Sequence, residues 1–304
     1  FNSLLTQGHT NINRFVSATR GYCDLSAVPS ANGQRVFVEL ADGYVLLDTP
    51  SAFEMSPSRC RWIYKHAGGL IEVRVAASLE RHEIALEIDV REGPPCRFLV
   101  STRVALNGDD GATGAPVQRA CDDRGVVVRP QPESEIGTRF PDGFFRIEAL
   151  GATRFEHVSG DELLFSDGQT RGEPYVAIVT APATKVALRI VGRLTESDVS
   201  GSTSHERPAA EDDREDAFWR DLAGPLALTP AAGSGAAADV ARLREILPWY
   251  AHNALIHYLA PHGLEQYANG GWGTRDICQG PVELLLARGD HATLRDLLLR
   301  VFAA

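Results

Sequence analysis

From Gln34 onward the apolar residues alternate with polar ones, the period of a strand with one face buried. RVFVEL, an Asp42-Gly43 turn and YVLLD predict a β-hairpin. CRWIYKH, Gly68-Gly69 and LIEVRVAASLE predict a second. In HEIALEIDVRE, Ile84, Leu86, Ile88 and Val90 fall on one face, and Glu83, Glu87, Asp89 and Arg91 mostly on the other. CRFLVSTRVAL resumes after Pro94-Pro95, and short strands are predicted at Val126–Arg129, Phe144–Ala149, Arg154–Val158, Glu162–Phe165, Tyr175–Thr180 and Lys185–Val191. The first 33 residues read as an irregular lead-in with a strand or two. Ten or more short strands with little helix between them predict a large antiparallel β-sandwich, and strands whose alternate residues are charged are expected to have one wet face.

The pattern changes after Leu194. ESDVSGSTSHERPAAEDDRED is polar, small and acidic, the composition of an exposed linker. AFWRDL then reads as a short amphipathic helix, and TPAAGSGAA as a second break. From Ala236 the period is helical, with Val240, Leu243, Ile246 and Leu247 on one face. Pro248 is expected to kink or restart that helix. WYAHNALIHYL carries it to Leu259, where Pro261 and Gly263 end it. VELLLAR stops at Gly289, and Asp290 is placed to cap HATLRDLLLRVFAA. The predicted organisation is a sandwich domain over 1–194, a linker with a short helix over 195–235, and a helical region over 236–304.

Composition narrows the function. The net charge of −10 argues against nucleic acid or an anionic membrane as partner, since phosphate backbones need a basic surface. No run of apolar residues is long enough for a membrane span, and FNSLLTQGHTN has no signal-peptide pattern. The five cysteines are odd in number and contain no C-x-x-C pair, which fits reduced thiols in the cytoplasm and signals no metal site. His66, His82 and His157 lack spacing partners. His252 and His257 are five apart, off the i, i+4 spacing of a zinc pair, and read as structural.

Chemistry concentrates in QYANGGWGTRDICQGPVE, residues 266–283. Gly270 and Gly271 permit tight turning or close approach to a ligand. Tyr267, Trp272, Arg275, Asp276 and Gln279 follow within a few residues. An indole face with a guanidinium fork, a carboxylate and an amide suits a sugar ring, whose C–H faces stack while its hydroxyls need donors and acceptors. The same residue types also suit a helix-entry loop with a surface ion pair and a half-buried Trp.

W-G-T-R-D-I-C-Q-G, preceded by W-Y-A-H-N and Q-Y-A-N-G-G, resembles the glycoside phosphorylases of the cellobiose phosphorylase group, and its T-R-D-I-C-Q-G-P form is most similar to the 1,2-β-oligoglucan phosphorylases. In that group the Arg and Asp bind the non-reducing-end sugar, which implies that role for Arg275 and Asp276. Gly280 stands where the wider group has Asp. The resemblance implies an α/α toroid opening at 236–304, and inverting attack of inorganic phosphate on β-linked gluco-oligosaccharides to give α-glucose 1-phosphate, with phosphate a co-substrate and no cofactor. It implies a general acid later in the barrel, outside these residues. The absence of an initiator Met and a C-terminus inside a helical pattern carry the expectation of a longer enzyme. A glycoside hydrolase on the same scaffold, or a glycan-binding sandwich without catalysis, are the alternatives.

Overall fold

The computed structural model describes residues 33–78, 83–104, 118–122, 125–134, 137–138, 140–193, 209–224, 228–259, 278 and 280–302. The chain divides between Glu206 and Arg207 into two compact units.

The first unit is an antiparallel sandwich. Its strands are β1 (Gly33–Leu40), β2 (Gly43–Leu46), β3 (Ala52–Met55), β4 (Arg59–His66), β5 (Gly69–Ala77), β6 (Glu83–Glu92) and β7 (Phe98–Arg103). They continue as β8 (Gln118–Asp122), β9 (Gly125–Arg129), β10 (Phe144–Ala149), β11 (Phe155–Ser159), β12 (Tyr175–Thr180) and β13 (Lys185–Arg193). One sheet has five strands in the order β11-β12-β7-β1-β2, and the other eight, β3-β4-β5-β6-β13-β10-β9-β8. Both predicted hairpins form, with Leu40 opposite Gly43 and His66 opposite Gly69. The second needs glycine, because a Cβ on Gly69 would lie 1.9 Å from the Glu92 carbonyl oxygen.

Alternation places the core. Ile71, Val73, Val75, Leu86, Ile88, Val186 and Leu188 of the wide sheet pack against Val36, Val38, Phe98 and Val100 of the narrow one. Further along the same interlayer, Val126, Val128, Ile147 and Ile190 meet Val104, Val176 and Ile178. Removing one such side chain to Ala costs about 2–5 kcal/mol, because the lining relaxes only partly.

The outer face of the wide sheet is charged, but it is not simply wet. Glu72 is buried between arginines, 3.1 Å from Arg61 Nε and 3.2 Å from both Arg74 Nε and Arg91 Nη2. Burial alone would push its carboxyl up. The hydrogen bond from Arg91 and the charges of Arg91, Arg61 and Arg74 outweigh that and hold it below the usual carboxylate range. The neighbouring strand adds Asp89, buried and 3.1 Å from Arg91 Nη1.

Three features of the sandwich are not announced by the pattern. β7 is buried along its whole length, not on one face. The reason is a segment laid across the narrow sheet, where Leu163 and Leu164 pack on Phe37, Leu46 and Leu99. That segment is the stretch expected as a strand at Glu162–Phe165, and Asp161–Leu164 is instead a 3-10 turn. Local side-chain bonds win there. Glu162 accepts from the Ser159 hydroxyl and, at 3.1 Å, from the Gly160 N–H. Buried Asp161 accepts from Thr170 Oγ1 at 2.5 Å, Arg171 N at 2.7 Å and Glu173 N at 3.1 Å, folding the following loop back on itself. Finally, β3 and β8 are strands that the pattern does not announce. β3 has four residues between Pro50 and Pro57, and every residue of β8 is exposed, so neither shows alternation.

The second unit is helical: α1 (Ala209–Ala223), α2 (Ala237–Leu259), α3 (Pro281–Arg288) and α4 (His291–Phe302). α1 starts eight residues before the expected Ala217, inside the stretch read as linker. Ala and Glu are strong helix formers, so AAEDDRED is as compatible with a helix start as with a linker. α2 runs on through Pro248 without restarting. The lost hydrogen bond is offset by packing beyond it, where Ala251, Leu247 and Tyr250 meet Ala223 and Leu284. Its N-terminal half buries less than its pattern promises, for Leu243 and Ile246 are exposed. Gly289, at φ 69°, closes α3 by donating to the Leu285 and Leu286 carbonyls. Asp290 caps α4 as expected, accepting from Thr293 N at 3.1 Å.

Because the folded pKa of Glu72 is depressed, its contribution is complete above the unfolded carboxylate range and is lost as pH falls through the folded value. Glu72→Gln should therefore destabilise the sandwich by about 1–3 kcal/mol at neutral pH and flatten the acid limb of its stability curve. Urea unfolding at pH 7 and pH 3 measures both, and an unchanged acid limb would remove Glu72 from the account.

Candidate functional site

Tyr267, Trp272, Arg275, Asp276 and Gln279 lie outside the described residues, so the structure brings none of them together and separates none. What it describes is the scaffold on either side. α2 leads towards this stretch, and Cys278, Gly280 and the start of α3 form its C-terminal end. Cys278 is half-buried among Leu285, Leu294, Leu297 and Val301, with Val282 and Leu298 beside them. Burial pushes its thiol up, away from the reactive thiolate. Gly280 precedes α3 at φ 86° and ψ −61°, with nothing within 4 Å of where a Cβ would be. The space is open, yet the backbone conformation is one that side chains resist, which gives a physical reason for glycine at this position.

The flanking helices are tied to one another. Arg288 of α3 donates through Nη1 to the Asp221 carbonyl at 2.7 Å and to the Leu222 carbonyl, capping the end of α1 with a cation where the helix dipole is negative. α1 stops there at Gly224, φ 70°, whose N–H reaches the Asp221 carbonyl at 2.9 Å. Burial raises the pKa of Tyr250 on α2, and the charge of Glu283 on α3 and a hydrogen bond to its carboxylate raise it further. Between these ties sit Ala223, Ala251 and Leu284, two of them small enough for close helix approach.

Beside them is a buried aromatic cluster. His252 is 4% exposed, its ring centroid 4.9 Å from Trp219 and 6.2 Å from Trp249. Phe218 meets Trp219 edge-on at 4.9 Å. Among the described residues His252 Nε2 has no hydrogen-bond partner, and burial drives the imidazole down to about 4. It is neutral at pH 7, which agrees with the structural reading of this histidine. Glu215, one turn before Trp219 on α1, is also buried. Trp219 lies in the AFWRDL helix that the pattern predicts, whereas Glu215 lies in the acidic stretch expected as linker; the signal that places both on one helix is their spacing of one helical turn. Among the described residues no group of three or more His, Cys, Asp or Glu could hold a metal ion, and no helix is long and apolar enough to cross a membrane.

Against known proteins, residues 1–192 match the family model described as the glycoside phosphorylase supersandwich domain. The matched span holds both sheets, five strands wide and eight strands wide. The chain belongs to this family. A 1,2-beta-oligoglucan phosphorylase from Listeria innocua serovar 6a is 28% identical over 303 residues, covering 100% of this chain and 26% of that relative. The chain thus spans about a quarter of the curated relative that it matches. The supersandwich match ends before Tyr267, whereas the alignment with the Listeria phosphorylase runs through the whole 266–283 stretch. A solved gh92 family glycosyl hydrolase is 15% identical, with a TM-score of 0.42 over 68% of this chain and 28% of its own, a likeness too slight to build on.

The unpaired imidazole has a consequence for acid stability. Above pH 6.5 His252 is neutral folded and unfolded alike. Below it the unfolded state takes up the proton first, so stability of the helical unit should fall between pH 6.5 and about 4, by about 3 kcal/mol in all. His252→Phe, which keeps a ring between the tryptophans, should flatten that fall. Near-ultraviolet circular dichroism melts at pH 7.5 and pH 5 report it, and equal pH slopes in the two proteins would contradict the assignment.

Proposed function

We propose that this chain is the supersandwich and first helical part of a phosphorylase that cleaves β-linked gluco-oligosaccharides, β-1,2-linked ones in particular. The observation carrying this reading is W-G-T-R-D-I-C-Q-G lying within the stretch aligned to a 1,2-beta-oligoglucan phosphorylase, downstream of a glycoside phosphorylase supersandwich. Trp272 walls one face of the terminal sugar. Asp276 accepts from neighbouring hydroxyls, and Arg275 donates to the same ring and holds Asp276. Tyr267 and Gln279 complete the polar lining. Helices α2 and α3, tied to each other through Tyr250 and Glu283, with α3 tied to α1 through Arg288, flank that loop as the opening of an α/α barrel.

In the reaction a phosphate oxygen forms a bond to the anomeric carbon as the glycosidic C–O bond breaks. The configuration inverts, and the leaving oxygen takes a proton from a carboxylic acid. Phosphate is already a nucleophile, so the geometry is that of an inverting glycosidase without a base to activate water. No residue among the 304 is assigned as the acid. The co-substrate is inorganic phosphate, with no cofactor. Among the described residues the cysteines, Cys60, Cys96, Cys121 and Cys278, have free thiols, which favours the cytoplasm.

The test is phosphorolysis by the full-length polypeptide, using β-glucobioses of each linkage with inorganic phosphate, and α-glucose 1-phosphate in the reverse direction. α-Glucose 1-phosphate should form only when phosphate is present. Glucose release that does not depend on phosphate would make the enzyme a hydrolase. Asp276→Asn should lower kcat/KM about 10- to 100-fold, the loss of one charge-assisted hydrogen bond, without unfolding the protein. Wild-type turnover and glucoside affinity in that variant would disprove the role given to Asp276.

A further inference from the structure

The sheets differ in width, and the wide one overhangs. β1 of the narrow sheet packs on β4 and β5 of the wide one, as the shared cluster of Val36, Val38, Cys60, Ile71 and Val73 shows. β3 is the outermost strand on that side, with Met55 packed into that cluster. Its register puts Phe53 across from Trp62 and Met55 across from Cys60, so Phe53 points to the core side of the sheet. There it is 46% exposed, and its ring lies 5.3 Å from Trp62 at a tilt of 37°. Two residues along β4 on the same face is Tyr64, half-buried, with the Asp48 carboxylate near enough to act on its hydroxyl.

Phe53, Trp62, Tyr64 and Asp48 together offer an apolar ring face backed by a second ring and flanked by a phenol and an exposed carboxylate. We propose that this overhang is a second saccharide-binding site, holding a neutral β-linked gluco-oligosaccharide by stacking on Phe53 and by hydroxyl contacts to Asp48 and Tyr64. The choice of a gluco-oligosaccharide rests on the proposed function, while the choice of a neutral polyol rests on the site itself. A carboxylate at the rim and a net charge of −10 repel anionic partners, whereas sugar hydroxyls donate readily to a carboxylate. One exposed aromatic with its backing ring matches a sugar or two. It is far short of the roughly 1,000 Å² that a stable protein interface buries.

The platform is held rigidly, so little ordering is needed on binding. Ser51 N donates to the Ile63 carbonyl at 2.7 Å, and Lys65 N donates to Ser51 Oγ at 3.0 Å. Ser56 N closes the β3–β4 turn on the Arg59 carbonyl at 2.8 Å. On the opposite face of the same strands Arg61 pairs with Glu54 at 2.8 Å, so the strands stay pinned when the aromatic face is altered.

The experiment is calorimetric titration of the full-length protein with a β-1,2-gluco-oligosaccharide of about six units and with the disaccharide. It is done in an Asp276→Asn background so that the loop site is weakened. Phe53 is exposed, so Phe53→Ala leaves folding intact, and Phe53→Tyr keeps the ring. Phe53→Ala should weaken binding of the long oligosaccharide and of the disaccharide about three- to tenfold, and Phe53→Tyr should bind as the parent does. No binding of the long oligosaccharide in the parent, equal affinities in all three proteins, or a Phe53→Ala effect confined to sedimentation behaviour would each overturn the proposal. If Asp276→Asn retains full turnover, the loop assignment is wrong, and the Phe53 comparison still decides this one.

Discussion

Two sheets of unequal width share one interlayer, and most of the sandwich follows from that constraint. The row of Ile71, Val73, Val75, Leu86, Ile88, Val186 and Leu188 must be covered, and Val36, Val38, Phe98 and Val100 cover it. Apolar area removed from water at roughly 25 cal/mol per Å² is the main term that offsets chain entropy in such a layer. A one-residue slip of any of these strands would turn its apolar row to solvent and its charged row inward, so the register is set by burial itself. On the outermost strand β3, Phe53 faces the core side and still meets solvent, with Trp62 beside it.

Where the outer faces are concerned, the two sheets solve different problems. The wide sheet presents arginines and carboxylates in cross-strand sets, and Glu72 shows how such a set works. A carboxylate can be buried there because three guanidinium groups replace its water. The narrow sheet has apolar residues on both faces of β7 and needs a lid. The turn at Asp161–Leu164 supplies it, and Asp161 spends its acceptors on the backbone of the loop that follows. Burial on both faces makes β7 the most enclosed strand of its sheet.

The helical unit is held by a different economy of contacts: a guanidinium on helix-end carbonyls, a tyrosine near a glutamate, small residues at the crossing, and an aromatic cluster around an imidazole. These lie on helices that bracket residues 266–283. Membership in the supersandwich family rests on the sandwich, and the functional reading rests on the loop. The alignment with the Listeria phosphorylase is what spans both.

Much of this was determined by the sequence alone. Strict alternation in Glu83–Glu92 and the glycine turns announced the hairpins and the sandwich, since a period of two with one buried face has few other solutions. Gly289 and Asp290 announced a helix stop and a helix start through backbone conformation and a capping oxygen. The sugar-type residue set at Tyr267, Trp272, Arg275, Asp276 and Gln279 was legible as chemistry and not as geometry, because converging side chains depend on where the flanking helices lie. Tertiary structure alone decided the rest. Glu162–Phe165 became a turn because Ser159, Gly160 and Asp161 partners outcompeted a strand ladder. α1 began at Ala209 because an acidic, alanine-rich stretch is as compatible with a helix start as with a linker, and Trp219 had a core to enter. Pro248 stayed within a helix because packing on Ala223 and Leu284 outweighed one lost hydrogen bond. In each case local pattern allowed two states, and long-range burial, which no window of sequence contains, chose between them.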